Sequence, residues 1–315
     1  MPHVIDGAIP LLRPENLAEH EPDLRRGGIT AVAPTVASLE GYAEAMTVVR
    51  AWHACAAAAP DRRRICTAPG DLAAARENGQ LGIVLHFQGG DPLEGSLDHL
   101  RAFAAAGVRV LQPTYNDANL LGGGAFAEPS AGLTALGRDV VAEMGALGVV
   151  CDVSHANERT ALDAIAAAGG PVLASHSNAR ARYDHPRNLR DVVIREIAAR
   201  GGVIGVCGFP GFLGPEGRRP TADDVLDHAA HIADLAGPEA VSLGLDFADE
   251  DEDDVAFFGY DPAFYPPPPW DYPVGIAGFA DFPGFAARAQ ARGWDEQSLA
   301  GLMGDNYARV LGAVA

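Results

Sequence analysis

The chain has 315 residues, of which 48% are hydrophobic and 21% are charged, so it has ample material for a core and does not resemble a disordered chain. Its 42 acidic and 23 basic residues give a formal net charge of −19, which disfavours nucleic acid and anionic membranes as partners because both need a basic surface. The length would allow two domains, but α/β barrels of this size are commonly one unit.

The cysteines and the first residues of the sequence bear on the cellular compartment of the protein. The four cysteines show no C-x-x-C spacing, and Cys151 and Cys207 lie in apolar runs, so reduced core thiols are expected. The first residues lack the charged and apolar regions of a signal peptide, and no apolar run reaches the ~18–20 residues that a membrane span requires. These features predict a cytoplasmic protein without a membrane partner.

Short apolar runs alternate with Ala-rich amphipathic stretches along the whole chain. The predicted strands are residues 3–7, 29–35, 81–88, 108–114, 149–153, 171–176, 202–207 and 240–247. The clearest predicted helices are residues 97–106, 136–147, 158–168, 192–200 and 222–236. Strands that are apolar throughout are typical of a parallel sheet covered by helices. Eight of them predict a single-domain (β/α)₈ barrel over residues 1–315, with a doubly wound open sheet as the alternative.

One segment, at about residues 248–273, breaks this pattern. It contains an acidic run at 249–254 and four consecutive prolines at 266–269, flanked by aromatic residues. Because a run of prolines fits neither a helix nor an inner strand, a long loop is expected, over the barrel opening that follows the eighth strand. It could serve as a lid or as a contact in a homodimer, or it could be a solvated surface insertion.

Polar side chains stand where several predicted strands end. His155 and His176 end the fifth and sixth strands, and Asp246 ends the eighth. The carboxyl ends of barrel strands converge on one opening, where the active sites of such barrels lie. Neutral imidazoles and a carboxylate are ligands that suit Zn²⁺, so these residues predict a zinc site.

Longer stretches resemble the renal (membrane) dipeptidase family. They are Gly132-Leu-Thr-Ala-Leu-Gly-Arg138, Leu147-Gly-Val-Val-Cys-Asp-Val-Ser-His155, Ala174-Ser-His-Ser-Asn-Ala179, His185-Pro-Arg-Asn188, Gly244-Leu-Asp-Phe247, and a tail with Gly293-Trp294 and Asn306-Tyr-Ala-Arg-Val-Leu311. Their order and spacing hold from about residue 80 to the end of the chain, and more loosely before it. The resemblance implies a (β/α)₈ barrel with a two-zinc site that cleaves dipeptides or related amides.

The resemblance also implies roles for individual residues. His155 and His176 match the histidine pair on the family's second zinc, and Asp246 matches an aspartate on the first zinc. Arg187 matches the arginine that grips the substrate carboxylate, for which the planar guanidinium is well suited.

Four positions depart from the family pattern. Ala8 and Pro10 stand where the family's first strand supplies a histidine and an aspartate to the first zinc. Gln88 replaces the bridging glutamate, and Tyr115 replaces a histidine that stabilises the tetrahedral intermediate. A normal two-zinc centre is therefore not expected. Instead, we expect a single zinc ion on His155 and His176.

The third ligand of such a single site is open. His86 lies two residues before Gln88 on the same strand, so it should point into the barrel below that residue. It could complete the zinc site, or it could be a core histidine that is hydrogen-bonded inside the barrel. Asp246 could also turn onto a single metal ion.

Three functions remain open on these residues. The first is a zinc hydrolase of a small amide or dipeptide-like substrate with a carboxylate. In it Asp246 is the general base, Tyr115 stabilises the oxyanion, and Arg187, Asn116 and Gln88 bind the small-molecule substrate. The second is a lyase or isomerase of a small carboxylate on the same barrel, and the third is a non-catalytic relative.

Overall fold

The computed structural model describes residues 2–215, 217–249 and 252–313. Its strands are β1 (Ile5–Ile9), β2 (Ala31–Ala37), β3 (Arg63–Ile65), β4 (Leu81–Ile83), β5 (Leu85–Phe87), β6 (Val108–Leu111), β7 (Val150–Cys151), β8 (Leu173–Ala174), β9 (Val203–Val206) and β10 (Val241–Leu243). All eight predicted strands are present, the third as β4 and β5. The sequence reasoning missed β3, which pairs in parallel with β4.

The α-helices follow the strands in an outer layer. They are α1 (Leu17–Arg26), α2 (Tyr42–Ala57), α3 (Asp71–Glu77), α4 (Leu97–Ala105), α5 (Ala135–Ala146), α6 (Glu158–Ala167), α7 (Asp191–Ala199), α8 (Ala222–Ala236), α9 (Glu252–Phe258), α10 (Phe282–Ala291), α11 (Glu296–Met303) and α12 (Asp305–Gly312). Polar side chains cap several N-termini: Thr134 accepts from the Gly137 amide at α5, and Asn157 accepts from the Thr160 amide at α6. The five helices that the sequence predicted are confirmed within two residues at each end.

The strands are parallel and form two sheets that follow each other along the chain. β1 pairs with β2, β2 with β4 and β5, and the order continues through β6 and β7. A parallel bridge between Asp152 and Leu173 leads on to β8, β9 and β10. Just beyond β10 the Asp246 amide donates to the Ala8 carbonyl at 3.0 Å, and the Leu11 amide donates to the Phe247 carbonyl at 2.7 Å. These bonds bring the backbone beyond β10 next to β1, an arrangement consistent with the predicted (β/α)₈ barrel.

The sequence predicted a long loop after β10, and this prediction was wrong for part of the segment. The helix α9 occupies part of it, while residues 250 and 251 of the acidic run lie outside the described residues. The prolines that argued against a helix begin only after α9 has ended. Carboxylates such as those of Asp253 and Asp254 are moreover favourable in the first turn of a helix, where the backbone dipole is positive. The prolines at 266–269 do lie outside helices and strands, as predicted.

No helix in the described parts of the chain combines the length and the apolar character needed to cross a membrane.

The backbone at the end of β10 packs too closely for any side chain at Gly244. A Cβ built there would lie 1.8 Å from the carbonyl oxygen of Ser175, which is a backbone atom that cannot turn away. We therefore expect Gly244→Ala to lower the free energy of unfolding by more than about 2 kcal/mol, measured by urea denaturation. Gly284→Ala, in α10, is the matched control because a Cβ at that position would meet nothing within 4 Å. Equal stabilities of the two variants would contradict the close approach.

Candidate active site

The predicted site residues converge at the carboxyl ends of the strands. Gln88, Tyr115, His155, Arg187 and Asp246 line one cavity of about 30 Å³ at this end of the barrel. A cavity of this volume holds roughly two water molecules. The structure thus brings together five of the eight residues that the sequence singled out. The other three, Asn116, His176 and His86, lie behind this wall, where they contact residues of the site.

The two histidines face each other through one nitrogen each. Nε2 of His155 lies 2.9 Å from Nε2 of His176, and both side chains are buried. Burial, followed by the charge of Arg187, holds the pKa of both imidazoles well below 6.5, so both are neutral at neutral pH. A neutral imidazole carries one proton, and the neighbours of each ring determine which nitrogen has it.

The tautomer of His155 follows from its two partners. Nη2 of Arg187 lies 2.8 Å from Nε2 of His155. Because a guanidinium can only donate, Nε2 accepts this bond with its lone pair. The proton is then on Nδ1, which donates to Oδ1 of Asn116 at 2.8 Å. Tyr265 also donates to this oxygen, at 3.2 Å. Nε2 of His155 is therefore unprotonated: its lone pair accepts from Arg187, and the nitrogen lies 2.9 Å from Nε2 of His176.

The tautomer of His176 follows from a relay of two hydroxyl groups. Ser154 donates its hydroxyl proton to Oδ1 of Asp152 at 2.7 Å, so its oxygen is left to accept from the Ser175 hydroxyl at 3.2 Å. The Ser175 oxygen in turn accepts from Nδ1 of His176 at 2.7 Å. Nε2 of His176 therefore also carries a lone pair. Neither of the two nitrogens that lie 2.9 Å apart then carries a proton, so no hydrogen bond joins them and a shared electron-pair acceptor would be favourable.

Asp152 is the anion at the base of this relay. Burial by itself would raise the pKa of this carboxyl, but hydrogen bonding, first of all from His86, holds it well below 3.8. Its Oδ2 accepts from Nε2 of His86 at 3.0 Å and from Nε2 of Gln112 at 2.9 Å. A carboxylate that is this well solvated by protein donors stays ionised.

The structure does not assemble the predicted set of three histidines. His86 donates to Asp152, and its ring centroid lies 6.4 Å from that of His176. Within the described ranges no three His, Cys, Asp or Glu side chains form a group that could hold a metal ion. Of the two roles expected for His86, the structure favours the core histidine that is hydrogen-bonded inside the barrel.

Asp246 stands in the cavity wall opposite the histidines. Its backbone is left-handed, with φ of +57°, which is uncommon for a residue other than glycine. Nε2 of Gln88 donates to its Oδ1 at 3.4 Å, so the neutral replacement at position 88 contacts a carboxylate rather than a cation. The surrounding protein removes bulk water and raises the pKa of Asp246 to about 6. Its carboxylate is thus a stronger base than an ordinary aspartate and is still mostly ionised at pH 7.

Arg187 closes the cavity from the side of the histidines. Its guanidinium lies over the Phe212 ring, 5.2 Å from the centroid, and only 2% of the residue is exposed. Besides the bond to His155, Nη1 donates to the Ser154 carbonyl. Nε is buried and has no hydrogen-bond partner among the residues that the structure describes. One edge of the guanidinium therefore has a donor to spare.

Aromatic residues cover the cavity, and we call Phe258, Tyr260, Tyr265 and Trp270 the aromatic cover. The Tyr260 hydroxyl lies 2.9 Å from that of Tyr115, whose ring stacks on His155 with a centroid distance of 4.2 Å. The rings of Tyr260 and Tyr265 stack at 4.3 Å. The segment after β10 thus lies directly over the predicted site residues.

Asp6 is a buried carboxyl group that the sequence reasoning did not assign. Its Oδ1 accepts from the Leu245 amide at 2.8 Å and from the Ala8 amide at 3.4 Å. Burial raises the pKa of Asp6 to about 8, and the charge of Asp246 adds to this shift. Asp6 is therefore mostly protonated at neutral pH. Its place at the end of the first strand was visible in the sequence, but the backbone groups that it binds there were not.

Comparisons with known proteins agree with this architecture. The family model described as membrane dipeptidase (peptidase family M19) matches residues 23–256. A Klebsiella pneumoniae protein described as "uncharacterized protein in pqqA 5'region" is 33% identical over 259 residues, 79% of this chain and 88% of its own length. An uncharacterized dipeptidase of Schizosaccharomyces pombe is 37% identical over 59% of this chain, and the matched part is only 48% of that relative.

A solved structure shows the same fold over nearly the whole chain. The crystal structure of an amidohydrolase from Pseudomonas aeruginosa superposes with a TM-score of 0.90 at 30% identity. The match covers 99% of this chain and 96% of the other.

The protonated state of Asp6 leads to a prediction about stability. Folded Asp6 keeps its proton up to a pH of about 8, whereas an unfolded aspartate loses it near 3.8. The folded state thus binds more protons between these values, so this residue's contribution to stability falls as the pH rises through that window. The Asn side chain keeps the acceptor oxygen but has no proton to lose. We expect the unfolding free energy of Asp6→Asn, relative to the unsubstituted chain, to rise by roughly 2 kcal/mol or more from pH 5 to pH 8.

Urea denaturation at several pH values measures this difference. Asp98→Asn serves as the control, because the Asp98 side chain is 86% exposed and should give a curve parallel to that of the unsubstituted chain. A parallel curve for Asp6→Asn as well would mean that Asp6 is ionised in the folded protein.

Proposed function

Because the chain belongs to the membrane dipeptidase family, peptidase family M19, we propose that it hydrolyses a small amide or dipeptide-like substrate that carries a free carboxylate. The family membership makes the chain a dipeptidase-like hydrolase. The proposal adds that one zinc ion, rather than two, is held between His155 and His176. Such an ion would polarise the scissile carbonyl and lower the pKa of a bound water.

The observation that carries the proposal is the close pair of unprotonated imidazole nitrogens. Nε2 of His155 and Nε2 of His176 lie 2.9 Å apart, and the Nδ1 proton of each ring has a fixed acceptor, Asn116 or Ser175. Histidines that bind metal ions almost always donate their other ring proton in this way, because the acceptor fixes the tautomer and the orientation of the ring. The two imidazoles fit one cation, with water and the substrate as its further ligands.

The rest of the cavity supports one ion and not two. A second zinc would need anionic or imidazole ligands near β1 and at position 88. Ala8 and Pro10 have no side-chain donor atoms for a metal, and Gln88 is neutral. His86 is left out of the proposed ligand set because Asp152 already holds its Nε2 at 3.0 Å.

We assign the proton transfer to Asp246. Its carboxylate lines the same cavity as His155, and its raised pKa of about 6 suits a group that accepts a proton from the attacking water near neutral pH. The Gln88 amide, which donates to its Oδ1, keeps the carboxylate in place. The proton taken from water can then pass to the leaving amine.

The remaining residues bind and orient the substrate. The Tyr115 hydroxyl, held against His155 by ring stacking, donates to the oxyanion, and Arg187 pairs with the substrate carboxylate. Nδ2 of Asn116 is buried and without a partner among the described residues, so it can donate to a substrate carbonyl. A cavity of about 30 Å³ is too small for a dipeptide, so the aromatic cover must move aside to admit one.

Metal content is the direct test of the zinc site. Protein purified without chelator is equilibrated with zinc and N-acetylglycine, desalted, and analysed by mass spectrometry of the elements. We expect about one zinc per chain, and its loss in His155→Ala and in His176→Ala. His231→Ala is the control, since this histidine lies on α8 and bonds to Asp191. A folded protein without zinc above the level of the two histidine variants would refute the proposal.

Asp246→Asn tests the proposed general base. Because a carboxamide cannot accept the proton, we expect kcat to fall by about 10²-fold or more while the protein still binds the amino acid products. In the unsubstituted enzyme kcat/KM should fall tenfold per pH unit below about 6, since only the ionised carboxylate is active. Amino acid release from a panel of dipeptides measures both, and calorimetry measures product binding. An Asn variant with full turnover would assign the base elsewhere.

A further inference from the structure

The Arg187 guanidinium occupies the lone pair that the proposed zinc ion needs. Nη2 of Arg187 donates to Nε2 of His155 across 2.8 Å. A neutral imidazole has a single lone pair in its plane at the unprotonated nitrogen, and this lone pair either accepts a hydrogen bond or binds a metal. The bond from Arg187 and the coordination of zinc by His155 therefore exclude each other.

The positive charge of Arg187 also disfavours zinc binding at His155. The guanidinium of Arg187 is permanently charged and buried, and it lies in direct contact with one of the two proposed ligands. A divalent cation placed between His155 and His176 would be close to this charge, in a cavity with little water to screen the repulsion. Both effects lower the affinity of the histidine pair for zinc while Arg187 stays where it is.

The surroundings of Arg187 show what could draw it away. Its hydrogen-bond partners are neutral, namely the Ser154 carbonyl, the His155 ring and the Tyr265 hydroxyl. No ion pair joins it to a carboxylate in the described part of the chain, and its Nε lacks a partner there. Asp246 lines the same cavity but forms no direct ion pair with Arg187, and a planar carboxylate in contact is the ligand that satisfies a guanidinium edge best.

We propose that Arg187 is a gate that couples the two ligands of this site: a carboxylate that binds Arg187 releases His155 for zinc. The gate rests on the proposed function, since it presumes the zinc site between His155 and His176. The carboxylate both competes for the guanidinium and neutralises its charge. Because coupling between two binding sites is reciprocal, zinc must strengthen carboxylate binding by the same factor. The protein would then hold its metal firmly only when a substrate is present.

Calorimetric titration with Zn²⁺ against a competing chelator tests the gate. The carboxylate probe is N-acetylglycine, and N-acetylglycinamide is its matched neutral control. In the unsubstituted chain we expect N-acetylglycine to tighten zinc binding about tenfold or more, and the amide to leave it unchanged. The visible absorption of bound Co²⁺ is an independent readout, and neither measurement depends on turnover.

Arg187→Met is the decisive variant. Because it removes the competing donor and the charge, it should bind zinc about tenfold more tightly than the unsubstituted chain without any carboxylate, and N-acetylglycine should add nothing. A damaged fold would lower the affinity, so a gain cannot come from misfolding. The zinc affinity of Arg187→Lys, which keeps the charge, should lie between that of Arg187→Met and that of the unsubstituted chain. Arg195→Met is the control for loss of an arginine, since Arg195 lies in α7 and bonds to a backbone carbonyl.

The outcomes separate the gate from the proposed function. If the unsubstituted chain binds zinc with an affinity that neither N-acetylglycine nor Arg187→Met changes, the zinc site stands and the gate is overturned. If no form, Arg187→Met included, binds zinc more tightly than a His155→Ala/His176→Ala double variant, the zinc site fails and the gate fails with it. Tighter zinc binding in Arg187→Met that needs both histidines supports both proposals.

Discussion

The ionised carboxylate of Asp152 is the group on which the geometry of the site depends. It accepts hydrogen bonds from His86 and Gln112, on the β5 and β6 side of the barrel, and from the backbone amides of Ser154 and Ser175 at the ends of β7 and β8. One buried anion thus ties together neighbouring strands where the regular pairing has already ended. It stays ionised because these donors replace the water that burial removes.

The same carboxylate affects the protonation of His176 without contacting that side chain. Because it takes the proton of the Ser154 hydroxyl, it sets the direction of the hydroxyl relay and so places the proton of His176 on Nδ1. The position of a charge in the core therefore decides where a lone pair points in the cavity. His86, for which the sequence left open a metal ligand or a core histidine, donates to this anion and so belongs to the hydrogen-bond network behind the histidine pair.

The fold could be predicted from the sequence because it depends on local patterns. Apolar runs marked the eight strands, and Ala-rich amphipathic stretches marked the helices between them. The positions at which side chains converge also followed, since strand ends in a barrel share one opening. The helix α9 was missed because the prolines that suggested a loop stand only beyond its end.

The hydrogen bonds and pKa values of the site residues could not be predicted, since they depend on contacts between residues far apart in the chain. The sequence places Arg187 in a loop but does not show that its guanidinium reaches His155, 32 positions away. It shows Asp6 at the end of a strand but not the amide of Leu245, which lies 239 positions further along. Burial shifts the pKa of Asp6 and of Asp246, and burial is a property of the packed barrel, not of either residue.

The charges of the cavity explain why a single cation is the arrangement that these residues suit. A two-metal centre concentrates positive charge that anionic ligands must balance. Here Gln88 is neutral, Asp6 is mostly protonated, and the negative charge of Asp152 is taken up by its own donors. Asp246 remains as the one anion in the cavity wall, and Arg187 already supplies a positive charge there. Under the proposed function, a zinc ion would add positive charge that a further anion has to balance, and the substrate carboxylate would be that anion.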